Sequence, residues 1–148
     1  MQINLLYGTQ SGTAEFLCED LEAALTEHDC NVASLESRGP ADLKSDDLHV
    51  FVIASYSTGD VTGTAQVFLD TLEEDKPDLT GHRFAVFGLG DQTFDTYNEG
   101  SEKMMQALLA CKATMIGERG LFDASSADMP EDVATPWLKD LLGEFATT

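Results

Sequence analysis

Apolar residues occur along this chain in two alternating patterns, short unbroken runs and longer stretches with helical spacing. Runs without alternation are typical of strands buried on both faces of a parallel sheet. They predict strands at Ile3–Tyr7, Asn31–Leu35, Leu48–Ser55, Arg83–Leu89 and Ala113–Ile116. Apolar residues spaced three and four apart predict helices over residues 14–25, 65–74 and 99–111.

A last helix is predicted from an apolar stripe near the end of the chain, Trp137, Leu138, Leu141, Leu142 and Phe145. Pro136 is expected in the first turn of this helix, and Thr135 is a candidate for its N-cap. Strands alternating with helices predict an α/β fold, a three-layer sandwich around a five-stranded, doubly wound parallel sheet. Without a repeat or linker, residues 1–148 are expected to form a single domain. Ligands of such sheets bind beyond the carboxyl ends of the strands.

The charge of the chain is strongly negative, with 27 acidic against 8 basic residues and a formal net charge of −19. With 43% hydrophobic residues, the chain is nevertheless expected to fold around a core and not to be a disordered acidic tail. Such a field repels phosphate backbones and anionic lipids, so we expect no nucleic-acid or membrane partner. Two interpretations stay open, a solvated surface adapted to salt and an acidic docking face for a basic protein.

Cysteines and histidines predict neither a metal site nor a catalytic site. Cys18, Cys30 and Cys111 are scattered, without a CxxC pair. Their odd number, an N-terminus that reads as a strand and the lack of a long apolar run predict a cytoplasmic protein. The histidines are expected at solvated ends of elements: His28, His49 and His82.

The loop after the first strand combines glycines and hydroxyl side chains at a predicted helix start. It comprises Thr9, Gln10, Ser11, Gly12 and Thr13, followed by Ala14. Free backbone N–H groups and the helix dipole favour an anion there. No lysine completes a Walker A motif, so the loop predicts a phosphate site without a nucleoside triphosphate. An ordinary capped helix start is the alternative.

Two further loops place aromatic residues at the ends of predicted strands. The loop after the third strand contains Ser55, Tyr56, Ser57, Thr58 and Gly59, and the loop after the fourth contains Leu89, Gly90, Asp91, Phe94, Tyr97 and Asn98. Taken alone, Tyr56 is more simply a core residue. Together the three loops fit a ligand with one phosphate and one large aromatic ring system.

These three loops, in this order, resemble those of the flavodoxin family over essentially the whole chain. The resemblance implies FMN as cofactor and the strand order 2-1-3-4-5. It places Thr9–Thr13 at the phosphate, Tyr56 on one flavin face and Phe94 on the other, with Tyr97 packed behind Phe94. The stretch 87–98 is most similar to the flavin domains of diflavin reductases. The short interval between Ile116 and Pro130 is typical of short-chain members.

One residue departs from the family pattern. Members usually have glycine after the first aromatic residue, and the glycine carbonyl turns towards flavin N5 on reduction. Ser57 stands there, and its Cβ resists positive φ by about 1 kcal/mol. The resemblance also places Asp60, Asp91 and Asp95 around the flavin, where fixed carboxylates disfavour added negative charge and lower the reduction potential.

The resemblance implies a monomeric electron carrier between a basic NAD(P)H-dependent flavodoxin or ferredoxin reductase and acceptor redox proteins. The alternatives are an FMN-dependent reductase of a small molecule and the flavin domain of a larger diflavin reductase. No second nucleotide fingerprint supports independent turnover. A phosphoacceptor signalling domain is disfavoured, because Ala54-Ser55-Tyr56 stands where its acceptor aspartate is required.

Overall fold

A parallel sheet runs through the middle of the molecule. The computed structural model describes residues 2–8, 13–35, 39–54, 63–90, 99–123 and 125–147. Its strands are β1 (Gln2–Gly8), β2 (Asp29–Ser34), β3 (Leu48–Ala54), β4 (Arg83–Gly90), β5 (Thr114–Met115) and β6 (Gly120–Asp123). All pairings are parallel, in the order β2-β1-β3-β4-β5. The α/β class and the strand order are therefore confirmed.

The far edge of the sheet differs from the prediction of one strand at Ala113–Ile116. β5 has two residues and pairs with the start of β4, whereas β6 pairs with the end of β4 and was not predicted. Between them the backbone turns at Gly117, whose φ of +69° favours glycine. β6 escaped prediction because an edge strand of four residues with alternating burial has too few apolar residues to form a run.

Four α-helices in the described part of the chain cover the two faces of the sheet. α1 (Thr13–Ala24) and α4 (Pro130–Thr147) pack on one face, and α2 (Gly63–Asp75) and α3 (Glu99–Ala110) pack on the other. β3 is buried along its whole length. Its Val50 and Val52 point to the α1/α4 layer, and its Phe51 and Ile53 point to the α2/α3 layer. This two-sided burial explains the unbroken apolar run, because alternate side chains of a strand point to opposite faces.

The last helix begins earlier than predicted. Pro136 lies inside α4 and not in its first turn, so Thr135 is not the N-cap. Pro130 occupies the first position, which favours proline, and Glu131 and Asp132 follow in the turn where the helix dipole favours acids. Ala134 is fully buried. The buried stripe therefore extends across Pro136, and packing outweighs the missing N–H of that proline.

Three side chains differ from their predicted environment. Val67 and Leu109 belong to apolar stretches but are 69% and 40% exposed, because they lie on the outer faces of α2 and α3. His49 is buried, not solvated. Its Nε2 lies 2.8 Å from the Lys44 carbonyl and its Nδ1 lies 3.3 Å from Asn4 Nδ2. None of the described helices has the length and apolar character needed to cross a membrane.

Candidate functional site

Three loops leave the same edge of the sheet from neighbouring strands. At this edge Gly8 of β1 lies opposite Ile53 of β3, and Ala54 of β3 lies opposite Leu89 of β4. Neighbouring strands are about 4.8 Å apart, so the three strand ends span about 10 Å. The loops lead into α1, α2 and α3. The topology thus brings together the starting points of the three loops in which the predicted site lies.

Four of the predicted site residues lie within the described part of the chain. Thr13 begins α1 and Gly90 ends β4. The side chains of Ala14 and Leu89 are buried in the core of the α1/α4 layer, so only their backbone can face a ligand. The others lie outside the described residues: Thr9, Gln10, Ser11, Gly12, Ser55, Tyr56, Ser57, Thr58, Gly59, Asp91, Phe94, Tyr97 and Asn98.

The edge offers backbone donors to an anion. α1, α2 and α3 all begin here, and the first N–H groups of a helix lack intrahelical partners. Thr13 starts α1 five residues after Gly8, so this helix N-terminus closes the first loop. A phosphate monoester such as that of the expected FMN fits this donor set, which needs no basic side chain.

Gly8 marks the closest approach of two elements at the site. A Cβ on Gly8 would lie 2.4 Å from Cβ of Ala65, in the first turn of α2. Real Cβ atoms do not come this close, so only glycine allows α2 to begin directly beside the end of β1. The end of the second loop therefore adjoins the start of the first, and the backbone of the two is tightly packed there.

Tyr7 connects the two ends of the first loop. Its hydroxyl lies near the carboxylate of Glu15, in the first turn of α1. Burial, reinforced by the charge of Glu15, raises the pKa of Tyr7, so the hydroxyl remains a donor. The sequence did not indicate this role, because Tyr7 also fits the apolar run of β1.

Arg119 makes a second connection near the edge. Its Nη1 donates to Oγ of Ser101 at 3.1 Å, and Ser101 is fully buried in the first turn of α3. Arg119 directly precedes β6, so this bond holds the start of α3 against the sheet edge. The partners are 18 residues apart in the chain and no motif joins them. Sequence analysis therefore missed the pair.

Charged side chains lie at both edges of the sheet. Described carboxylates at or near the loop edge belong to Glu15, Glu102, Asp123, Glu131 and Asp132. Four described cations mark the opposite edge, where β3 and β4 begin and α2 and α3 end: Lys44, Lys76, Arg83 and Lys112. Acids lie at this opposite edge as well, among them Asp46, Asp47, Asp75 and Asp78, so the charges of the described residues do not single out the loop edge.

The described residues provide binding groups and an electric field but no catalytic set of side chains. They contain no group of three or more His, Cys, Asp or Glu residues that could hold a metal ion. Burial raises the pKa of the Cys18 thiol, which is inaccessible in the core.

Comparison with known proteins agrees with this geometry. The sequence profile of the family described as Flavodoxin matches residues 5–137. The chain is 29% identical over 136 residues to Protein MioC of Escherichia coli strain K12, with 92% of each covered. It is 38% identical over 140 residues to the NADPH–cytochrome P450 reductase of Rattus norvegicus, covering 90% of this chain but 20% of that protein.

Solved structures support the fold. A cysteine-to-alanine mutant of flavodoxin from Pseudomonas aeruginosa superposes with a TM-score of 0.83 at 21% identity, covering 97% of each chain. Oxidised Flavodoxin 1 from Bacillus cereus superposes with a TM-score of 0.82 at 19% identity, covering 97% of this chain and 98% of that one. At these identities the likeness establishes the architecture.

Proposed function

This chain belongs to the flavodoxin family, and on that premise we propose that it carries electrons from a basic NAD(P)H-dependent flavodoxin or ferredoxin reductase to acceptor redox proteins. Its cofactor is FMN and its activity is FMN-dependent electron transfer. The observation that carries the proposal is the convergence of three loops at the ends of β1, β3 and β4, beside the start of α1. We propose further that residues 1–148 form one monomeric, cytoplasmic domain.

We assign the FMN phosphate to the loop Thr9–Thr13 and the first N–H groups of α1. The flavin ring lies between Tyr56 and Phe94 in this proposal, with Ser55–Gly59 and Leu89–Asn98 as its two loops. FMN supplies the redox chemistry when bound. The chain supplies the stacking surfaces, the phosphate donors and the electrostatic field.

The field favours a low reduction potential and a basic partner. Asp60, Asp91 and Asp95 are the carboxylates we place around the ring, and Asp123 lies opposite Gly90 at the same edge. Negative charge near the ring disfavours the addition of electrons to it. The same charge accelerates encounter with a positively charged protein while ionic strength is low.

Flavin titration tests the phosphate assignment. We expect the apoprotein to quench FMN fluorescence at micromolar concentration and to bind riboflavin, which lacks the phosphate, far more weakly. Ser11→Ala is expected to raise the Kd for FMN roughly tenfold, because a hydrogen bond to a charged group contributes about 1.5–3 kcal/mol. Its control is Thr71→Ala on α2, whose hydroxyl donates to the Val67 carbonyl. Equal affinity for FMN and riboflavin would contradict the assignment.

A second candidate is the flavin domain of a larger diflavin reductase. It is favoured by the 38% identity to the P450 reductase, of which this chain spans a fifth. Both candidates predict no NAD(P)H oxidation by the isolated chain and rapid reduction once a separate reductase is added. Turnover of NAD(P)H by the chain alone would instead identify a small-molecule reductase.

A further inference from the structure

Two large apolar side chains are exposed beside the proposed FMN edge, on one layer of the molecule. Phe16, the fourth residue of α1, is 66% exposed, and Met129, directly before α4, is 55% exposed. The Met129 carbonyl accepts the N–H of Asp132 at 3.1 Å, so Met129 is held at the start of α4. α1 and α4 pack on the same face of the sheet, and both begin at the loop edge.

A shallow, open acidic groove lies between these two helices. It has a volume of about 440 Å³, and its lining includes Asp20, Glu131, Asp132 and Pro136. Asp20 follows Phe16 by one helical turn, so the two side chains lie on the same side of α1. None of the described residues that line this groove is basic. We call the groove together with Phe16 and Met129 the α1/α4 shoulder.

The shoulder is continuous with the proposed cofactor site. Phe16 follows Thr13 by three residues, about 4.5 Å along the axis of α1. A protein that covers the proposed flavin edge and extends over the α1/α4 layer therefore contacts Phe16 first and the acidic groove next.

We propose that the α1/α4 shoulder anchors the redox partner, a basic protein with an apolar patch surrounded by lysines or arginines. This inference rests on the proposed electron-carrier function. Phe16 supplies an aromatic anchor of the kind that dominates interface energies. The acids of the groove are complementary to the basic rim, and they orient the partner.

The two contributions differ in their response to salt. At about 1 M salt the Debye length is only about 3 Å, so attraction by the acids is screened. Apolar contact is not screened, and excluded salts strengthen it. Anchoring through Phe16 therefore persists at salt concentrations at which the negative charge no longer steers the partner.

Cytochrome c, a small basic haem protein, serves as the probe. The FMN-loaded chain is reduced with stoichiometric dithionite and mixed with ferric cytochrome c in a stopped-flow instrument. Two ferric haems each take one electron from the reduced FMN and become ferrous, and the protons taken up on reduction return to solvent. The readout is the second-order rate constant, measured from 0.1 M to 2 M KCl.

The matched control for Phe16 is Val67, which is 69% exposed on the second turn of α2, in the opposite layer. We expect Phe16→Ser to lower the rate constant roughly tenfold and Phe16→Leu to recover most of the loss. Val67→Ser should leave the rate constant unchanged. The effect of Asp20→Asn should vanish at 2 M KCl, whereas that of Phe16→Ser should persist. An unchanged FMN Kd verifies that each variant is folded.

Three results would overturn the inference. The first is that Phe16→Ser and Val67→Ser change the second-order rate constant equally. The second is that the wild-type chain does not bind cytochrome c. The third is a wild-type dimer in sedimentation that Phe16→Ser dissociates, because the occupant is then a second copy of this chain. Calorimetric titration of the flavin-free chain with ferric cytochrome c measures docking without FMN. This titration distinguishes a loss of docking at the shoulder from a loss of flavin binding.

Discussion

Single residues at the two edges of the sheet show how closely this fold depends on side-chain size and protonation. Gly8 is required where α2 begins against β1. His49 is required in its neutral form, because both ring nitrogens are used within a buried network. Both positions lead to measurable expectations.

Gly8→Ala is expected to lower the free energy of unfolding by about 1–3 kcal/mol, the usual cost of overpacking. It is also expected to weaken FMN binding, because the new Cβ displaces Ala65 at the start of α2. Urea unfolding followed by the fluorescence of Trp137, the single tryptophan, measures the stability. The control is Gly143→Ala in α4, where an added Cβ has no atom within 4 Å. This variant is expected to raise the free energy of unfolding by about 0.5–1 kcal/mol. Wild-type stability and FMN affinity in Gly8→Ala would contradict this account.

The buried His49 gives unfolding a pH dependence of known sign. Burial lowers its pKa from the ordinary 6.5, although the Lys44 carbonyl and Asp47 act in the opposite direction. Between the lowered folded pKa and pH 6.5, His49 is therefore protonated in the unfolded chain and neutral in the folded chain. The resulting stability is complete above pH 6.5 and is lost as pH falls towards the lowered folded pKa.

Comparison of wild type with His49→Gln at pH 7.5 and pH 5.5 isolates this contribution from the carboxylates, which both proteins share. We expect the wild type to lose more unfolding free energy than the variant over this interval. The variant should be the less stable protein at pH 7.5, because it disrupts the bonds to Asn4 and Lys44. Parallel pH profiles would show that the imidazole is protonated equally in both states.

At the scale of elements, packing overrides the local signals of α4 and of the sheet edge. α4 continues through Pro136, and the short β6 is held from the side by Trp137. The indole N–H of Trp137 donates to the Glu118 carbonyl at 3.0 Å, and its ring lies 5.2 Å from that of Phe87. A Cβ at Gly120 would lie within 3 Å of both rings. The strand forms because a helix far along the chain covers it.

Pro136→Ala is expected to raise the free energy of unfolding by about 1–2 kcal/mol. Proline inside a helix lowers the stability of the helix by about 3 kcal/mol. Replacing it with alanine also makes the unfolded chain more flexible, which offsets part of the gain in stability. Pro130→Ala, at the first position of the same helix, is the control and should change stability by less than about 0.5 kcal/mol. Urea unfolding measures both. A destabilised Pro136→Ala would indicate that α4 begins near Pro136, as the sequence alone suggested.

At the scale of the whole molecule, the net charge of −19 is the dominant feature. Carboxylates at the loop edge face a basic partner in the proposed complex. The remaining acids repel one another across the surface. This repulsion disfavours the compact state more than the expanded one.

Salt is therefore expected to stabilise the fold while it slows encounter with a basic reductase. The free energy of unfolding should rise between 0.05 M and 1 M KCl, and the reductase reaction should slow at least tenfold over the same range. Potassium sulfate at matched ionic strength separates screening from strengthened apolar burial. A salt-independent reductase reaction would show that the charge serves solvation alone.

Sequence patterns predicted the central part of the fold more accurately than its margins. The runs of β1, β3 and β4 were predicted to within two residues because their side chains are buried on both faces. β6 and the start of α4 were missed because their stability comes from contacts between distant segments. For the site, the predicted order of the loops agrees with the edge at which they meet, and the roles of their residues remain predictions.

The sequence by itself determined the α/β class, the order of the elements and the three loops that indicate a flavin, because periodicity and loop chemistry are local properties of the chain. Only the tertiary structure decided what depends on distant partners. It brought Tyr7 near Glu15, joined Arg119 to Ser101 and buried His49. It also left Phe16 and Met129 exposed near the starts of the two helices that line one acidic groove. Such contacts arise when helices pack on a sheet, and spacing along the chain does not encode them.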